Sequence, residues 1–219
     1  GLHNWPGLDA GKIAVTAGPL MGAFDTFELE ILGQGAHGAM PHDSVDPIYV
    51  AAQVINGWQS ITSRNINPYD AAVISVTQVH AGDTWNVIPS TCNLKGTTRS
   101  FSASVRDLIE RKMQLIAQNT CTSFGATAKF TYTRRYPALI NSFAESEVSK
   151  KVAIKVVGDS NVMKDPTPSM TAEDFAFFLE KKPGCYIWLG NGASENGKNL
   201  HSPKYDFNDA ILPIGISYW

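Results

Sequence analysis

"AFDTFELEIL", Ala23 to Leu32, alternates between two chemistries. Phe27, Leu29 and Ile31 fall on one side of an extended chain. Phe24, Thr26, Glu28 and Glu30 fall on the other. A period of two with one apolar side marks a half-buried β-strand. Downstream, "DPIYVAAQVINGWQSITSR" (46–64) places Asp46 as an N-cap and Pro47 at the first helical position. Ile48, Ala51, Ala52, Ile55 and Trp58 then recur at helical spacing. "AAVISVTQVHAG" (71–82) is β-branched and alternating. "NVIPSTCNLKGTTRSF" (86–101) gives a strand around 92–101, with Asn86 and Arg99 near its two ends. "SASVRDLIERKMQLIAQNTCTSFG" (102–125) is a helix, with Val105, Leu108, Ile109, Lys112, Leu115 and Ile116 in helical register and Gly125 as its stop. "ATAKFTYTRRY" (126–136) alternates again. The order β-α-β-β-α-β is the split βαβ, ferredoxin-like order: a four-stranded antiparallel sheet with two helices on one face.

On both sides of this block the composition changes. Residues 1–20 are rich in Gly and Pro around an apolar run at 13–15. After Pro137, "SFAESEVSKKVAIKVVG" (142–158) reads as a helix capped by Ser142. "DPTPSMTAEDFAFFLEKKPG" (165–184) reads as a Pro-rich linker and a short helix capped by Thr171. "CYIWLGNG" (185–192) reads as a buried strand, and a Gly/Asn-rich loop leads to "LHSPKYDFND" (200–209). These pieces alternate α and β and form another layer, shared with residues 1–20. Three parts are therefore expected. Residues 1–20 are a segment of a larger α/β domain, 21–136 are the inserted small domain, and 137–219 continue the larger one, of which only the C-terminal half is present. The opening "GLHNWPGL" without Met and the closing "LPIGISYW" fit a fragment.

The 219 residues are 43% hydrophobic and 17% charged, an ordinary globular balance that needs no metal or disulfide staple to form a core. A net charge of −2 without a basic block argues against a nucleic-acid surface. There is no run of about 18 apolar residues, so no membrane-spanning helix is expected. Cys92, Cys121 and Cys185 are odd in number and lack a C-x-x-C spacing, so buried free thiols are expected. The sequence shows no signal-peptide pattern and no N-x-S/T sequon, which favours a cytoplasmic location.

Five histidines carry most of the possible chemistry. His37 and His42 flank "GAMP" in the loop "QGAHGAMPH" (34–42). They could be metal ligands, catalytic acids or bases, or polar loop residues. His3 lies in a Gly/Pro turn, and His201 in a loop before Ser202 and Pro203. Imidazole suits zinc-like ions, yet no H-x-x-x-H or H-x-H pair closes a site. His80, in a strand, reads as structural. Arg99 could hold a carboxylate in a bidentate fork or make a surface ion pair. There is no G-x-S-x-G elbow, no phosphate loop and no dinucleotide fingerprint.

Four ordered stretches fit one family: "GLHNWPGLDAGKIAVTAGPLMGAFDTFELEILGQGAHGAMPHDSVDPI", "TQVHAGDTWNVIPSTCNLKGTTRSF", "MTAEDFAFFLE" and "LHSPKYDFNDAILPIG". The chain resembles the metal-dependent amidohydrolases that include hippurate hydrolase, N-acyl-amino-acid amidohydrolases and auxin-conjugate hydrolases. The resemblance implies a zinc-exopeptidase-like catalytic domain with two divalent ions, zinc or manganese and possibly cobalt or nickel. A ferredoxin-like lid that makes a homodimer interrupts that domain. It implies N-acyl amino acids as substrates, with His3 and His201 as metal ligands. It also implies that His37, as oxyanion stabiliser, reaches with Asn86 and Arg99, as substrate contacts, into the partner's site. The family's upstream Cys/His/Asp ligands and its Glu-Glu base have no counterpart here, since the chain has no "CGHD" and no "EE". The chain alone is therefore expected to be inactive. An alternative is a truncated, non-catalytic homologue that serves as a dimerisation or binding module.

Overall fold

The structure, a computed structural model, describes residues 1–194 and 199–219. Its strands are β1 (Leu2–Pro6), β2 (Ile13–Ala14), β3 (Gly18–Met21), β4 (Ala23–Leu32), β5 (Ala36–His37), β6 (Ala72–His80), β7 (Val87–Ile88), β8 (Thr91–Ser100), β9 (Thr127–Tyr136), β10 (Leu139–Asn141), β11 (Val162–Met163) and β12 (Ile187–Gly192). Its helices are α1 (Pro47–Ser60), α2 (Ala103–Ser123), α3 (Phe143–Val157), α4 (Phe175–Leu179) and α5 (Leu212–Tyr218). The chain divides into two compact units. One combines Gly1–Met21, Leu139–Ser169 and Glu173–Trp219; the other is Gly22–Ala138 with Met170–Ala172.

In the second unit the alternation of β4 sets the layers. Ala23, Asp25, Phe27, Leu29 and Ile31 are buried, while the residues between them are partly or fully exposed. The sheet order is β6-β8-β4-β9, antiparallel at every step. Asp46 caps α1, accepting from the Ile48 and Tyr49 amides at 2.9 and 3.3 Å. Ser102 caps α2, accepting from the Val105 amide at 3.3 Å. These bonds satisfy N–H groups that a helix start leaves free. Val50, Ala51, Val54 and Trp58 of α1 meet Val105, Ile109, Met113, Ala117 and Cys121 of α2 in one core with Phe27, Leu29, Ile31, Ile74, Cys92 and Leu94. Trp58 stands edge-on to Phe27 at 5.0 Å and donates from Nε1 to the Met113 carbonyl at 3.0 Å. That bond ties α1 to α2 and leaves no orphaned indole N–H in the core.

Some helical details differ from the sequence reading. Ile48 and Ala52 are exposed, because the buried stripe of α1 runs through Val50 and Val54 instead. On α2 the stripe recurs at every fourth residue from Val105 to Cys121, and Leu115 is exposed. The strand read around 92–101 is β8, but Asn86 is not at its end, because Pro89 and Ser90 separate β8 from the short β7. Asn86 lies in a turn before the short β7, and β8 begins only at Thr91.

In the first unit a mixed sheet has the order β1-β12-β2-β11, and β3 pairs with β10. Alternation again separates two cores. Ile13, Ile187 and Leu189 pack with Ala153 of α3 and Val162. Ala14 and Trp188 pack on the other side with Leu20, Leu139, Ala176 and Tyr186. His3 lies within β1 rather than in a turn, opposite Trp188. The short helix is shorter than the sequence reading has it: α4 starts at Phe175, with Asp174 at its N-cap position. Ser142 occupies the N-cap position of α3 as read, but its Oγ makes no capping bond to the helix and accepts from the Gly184 amide at 3.2 Å. The Gly/Asn-rich loop before Leu200 lies partly outside the described residues. Among the described residues no helix is long and apolar enough to cross a membrane.

Candidate functional site

Beyond the end of β4 the chain enters a small two-stranded antiparallel ribbon, whose second strand, β7, comes after α1 and β6. His37 of β5 pairs with Val87 of β7, and Ala36 with Ile88. The Gly33 amide donates to the Ser90 carbonyl at 2.9 Å, so the pairing of β4 with β8 carries on into this ribbon. Two glycines permit the close approach. A Cβ at Gly35 would come within 2.8 Å of the Ile88 carbonyl oxygen, and one at Gly38 within 3.1 Å of the Asn86 carbonyl oxygen. The Gly38 amide instead donates to that Asn86 oxygen at 2.7 Å. Two of the sequence-derived residues, His37 and Asn86, thus lie at facing strand ends of the ribbon, one position out of register, both exposed.

The loop also orients the imidazole. The Ala39 amide donates to His37 Nδ1 at 3.0 Å. An amide N–H cannot share that position with a ring proton, so a neutral His37 carries its proton on Nε2. Among the described residues nothing accepts from Nε2, and nothing pairs with the Asn86 side chain. His42 lies in the same loop, exposed, with its ring 3.7 Å from Asp43. His80, read as a structural residue, is exposed at the end of the edge strand β6, opposite Asn93.

Arg99 is elsewhere. It sits opposite Phe24 near the start of β4, while Leu32 at the far end of β4 sits opposite Thr91. Eight residues of strand span about 26 Å. The sheet therefore holds Arg99 and the His37–Asn86 pair at opposite ends of this unit. The Arg99 guanidinium lies over the Phe24 ring, 4.2 Å from its centroid. Among the described residues it makes no ion pair and no hydrogen bond. Burial pulls its pKa below the ordinary arginine value, against the opposing influence of the Asp25 charge.

In the first unit the His3 ring meets the Trp5 ring edge-on at 6.1 Å, and Trp5 stacks on Trp188 at 3.9 Å. His3 Nδ1 lies 2.5 Å from the Asn4 carbonyl oxygen. An N–H donated there leaves Nε2 with its lone pair free, the arrangement that metal-ligating histidines adopt. The Asn4 side chain donates to the Tyr205 hydroxyl. That bond ties the segment carrying His201 to β1. His201 itself is exposed, with a positive φ of 63°. Among the described residues no three His, Cys, Asp or Glu side chains gather to hold an ion.

The sequence reading missed Asp25. It is 1% exposed and accepts four hydrogen bonds: from Arg106 Nε at 2.7 Å and Nη2 at 2.5 Å, from the Tyr132 hydroxyl at 2.9 Å, and from the Arg135 amide at 2.9 Å. The signal was present, since Asp25 is the one charged residue on the buried phase of β4.

Comparison with known proteins gives these residues a context. The chain is 36% identical over 219 residues to the N-acetylcysteine deacetylase of Bacillus subtilis (strain 168), covering 100% of this chain and 56% of that protein. It is 33% identical to the hippurate hydrolase of Campylobacter jejuni, again covering 100% and 56%. Among solved structures, the Bacillus subtilis YXEP protein, described as a dinuclear metal-binding peptidase, superimposes with a TM-score of 0.81 at 31% identity, covering 100% of this chain and 54% of that one. A putative aminohydrolase of methicillin-resistant Staphylococcus aureus gives 0.88 at 25% identity, covering 100% and 56%. The chain spans about half the length of the relatives it matches. The model of peptidase family M20/M25/M40 matches residues 1–219, and the chain belongs to that family.

Proposed function

We propose that this chain is the lid-bearing part of a metal-dependent amidohydrolase that cleaves the amide bond of N-acyl amino acids. In this reading the second unit is a ferredoxin-like lid through which two copies pair. The observation that carries it is the bond from the Ala39 amide to His37 Nδ1. A neutral imidazole, fixed through Nδ1 and exposing an Nε2–H, on a strand pair whose other strand follows directly after Asn86, is a donor suited to a carbonyl oxygen that gains negative charge. The relatives' names, N-acetylcysteine deacetylase and hippurate hydrolase, support the substrate class.

His3 and His201 are the residues that would contribute to a metal centre. The donated Nδ1–H of His3 fits this role, and the remaining ligands come from outside the described residues. Two divalent ions, zinc or manganese with cobalt and nickel as alternatives, would polarise the scissile carbonyl and activate the attacking water when bound. The residues of this chain supply the rest. His37 and Asn86 donate to the carbonyl oxygen, and Arg99 holds the amino acid's carboxylate in its planar fork.

An N-acyl amino acid is far shorter than the 26 Å or so of strand between Arg99 and the β5–β7 ribbon. One chain therefore does not place all three residues on one substrate. In a dimer each site takes Arg99 from one protomer and the His37–Asn86 pair from the other. This separates residues that the resemblance had placed together.

Mixed dimers test the reading in the full-length enzyme. His37→Ala alone should lower kcat about 10²–10³-fold with normal metal content. His3→Ala and His201→Ala should lose metal instead. Mixing His37→Ala with Arg99→Ala, assayed at substrate far below the raised KM of Arg99→Ala, should restore one intact site per hybrid dimer, roughly a quarter of wild-type activity at equal mixing. Hybrids that form but stay as inactive as their parents would show that one chain supplies both residues.

A further inference from the structure

Arg99 is a half-buried cation whose N–H donors meet no acceptor among the described residues. What holds it is an aromatic face. Phe24 of β4 is in register with Arg99 of β8 on one side and with Tyr136 of β9 on the other. The Arg99 Cζ lies 4.2 Å from the Phe24 centroid. The Phe24 and Tyr136 rings lie 6.1 Å apart and within 17° of parallel. Guanidinium, phenyl and phenol thus form one row across three adjacent strands, on the sheet face away from the helices.

The row depends on a bulge. Thr133 pairs with Thr26 and Arg134 with Asp25, so an unbroken ladder would set Arg135 opposite Phe24. The register shifts there, and Tyr136 takes that place. The extra residue of a bulge leaves its amide without a ladder partner. Here the Arg135 amide donates to the buried Asp25 carboxylate at 2.9 Å. Asp25 is fixed in turn by Arg106 and Tyr132.

We propose that Phe24, backed by Tyr136 through the Asp25-anchored bulge, is a positioning residue for Arg99. This deepens the proposed function and rests on its assignment of Arg99 to the substrate carboxylate. A carboxylate partner at position 24 would orient Arg99 equally well but would consume the donors that the substrate needs. The ring attracts the guanidinium through its face, where a planar cation stacks, and leaves the edge N–H groups free for a carboxylate. Tyr136 limits where the ring can go.

The test uses the full-length enzyme with two substrates, an N-acetyl amino acid and its carboxamide, which lacks the anion. Phe24→Leu keeps apolar bulk and removes the π face. It should raise KM for the acid about 3- to 30-fold, the range for a partly desolvated cation–π contact. It should leave kcat for the acid and both constants for the carboxamide unchanged. Phe24→Tyr should restore the wild-type KM. Arg99→Ala serves as the reference and should raise KM for the acid only. If Arg99→Ala discriminates between the substrates and Phe24→Leu does not, the positioning role is wrong while the function stands. If Phe24→Leu affects acid and carboxamide equally, Phe24 is merely structural. If Arg99→Ala fails to discriminate, the carboxylate assignment falls and this inference with it.

Discussion

Asp25 shows how much a single buried charge can organise. Each of its oxygens accepts two hydrogen bonds, Oδ1 from Arg106 and the Arg135 amide, Oδ2 from Arg106 and Tyr132. The side chains of Asp25 and Arg106 are only 2% and 13% exposed. The bond to Asp25 holds the Arg106 guanidinium above its usual range, against the opposing effect of burial. Removing one partner of such a pair strands the other in low dielectric, which costs more than the pair was worth. Asp25→Ala should therefore destabilise the protein by about 3–5 kcal/mol, measured by urea unfolding. A loss under 1 kcal/mol would mean that Arg106 finds water or another partner. The alternation of β4 is legible in sequence down to the residue, and so is the misplaced charge within it. Its partners are not legible, because they lie 81 to 110 positions away on α2 and β9. The His37 tautomer is hidden in the same way, since it depends on the direction of one loop amide.

At the scale of elements, the central strands are joined by more than the backbone ladder. Tyr132 of β9 reaches both Asp25 of β4 and, at 2.5 Å, Thr98 of β8. Burial pushes its phenol pKa well above the ordinary value near 10, and the Asp25 charge adds to this. The folded state thus holds a proton that the unfolded chain releases above pH 10. By linkage this contribution is complete below about pH 10 and is lost progressively as pH rises above it. Melting temperature should fall through that alkaline range, and in Tyr132→Phe it should fall less steeply, though from a lower starting value because a hydrogen bond is gone. Equal slopes for both proteins would rule out Tyr132 as a source of the alkaline loss. The helices follow a different logic. Asp46, Pro47 and Ser102 announce their starts, because capping is local chemistry. Which stripe is buried is decided by the sheet beneath. Ile48 is apolar and fits a helical period, yet it is 46% exposed, while Val50 and Val54 carry the contact.

The whole chain resolves into units that share no core cluster. Every buried residue of the core around Trp58 lies between Phe27 and Ala126, inside the second unit. The two cores of the first unit draw on segments from both ends of the sequence, Leu8 to Met21 and Leu139 to Ile211. The long elements of the second unit, β4, β6, β8, β9, α1 and α2, each show a period in the sequence, whereas its two-residue strands β5 and β7 do not. The first unit was harder to read, because β2 and β11, two residues each, are too short for any period to show. This asymmetry makes a prediction about folding. The second unit takes only Met170–Ala172 from outside its continuous span, where the Gly22 amide donates to the Thr171 carbonyl at 2.9 Å. One lost backbone bond is worth about 0.5–1.5 kcal/mol, small against a core that holds Trp58, Phe27, Met113 and the aliphatic stripes of two helices. Residues 22–138 expressed alone should therefore fold, melt cooperatively and keep the Trp58 indole buried, as read by circular dichroism and by blue-shifted fluorescence. The segment contains only one other tryptophan, the fully exposed Trp85, so a Trp85→Phe background reports on Trp58 alone. A broad, non-cooperative melt with red-shifted emission would show that the core needs the rest of the chain to form.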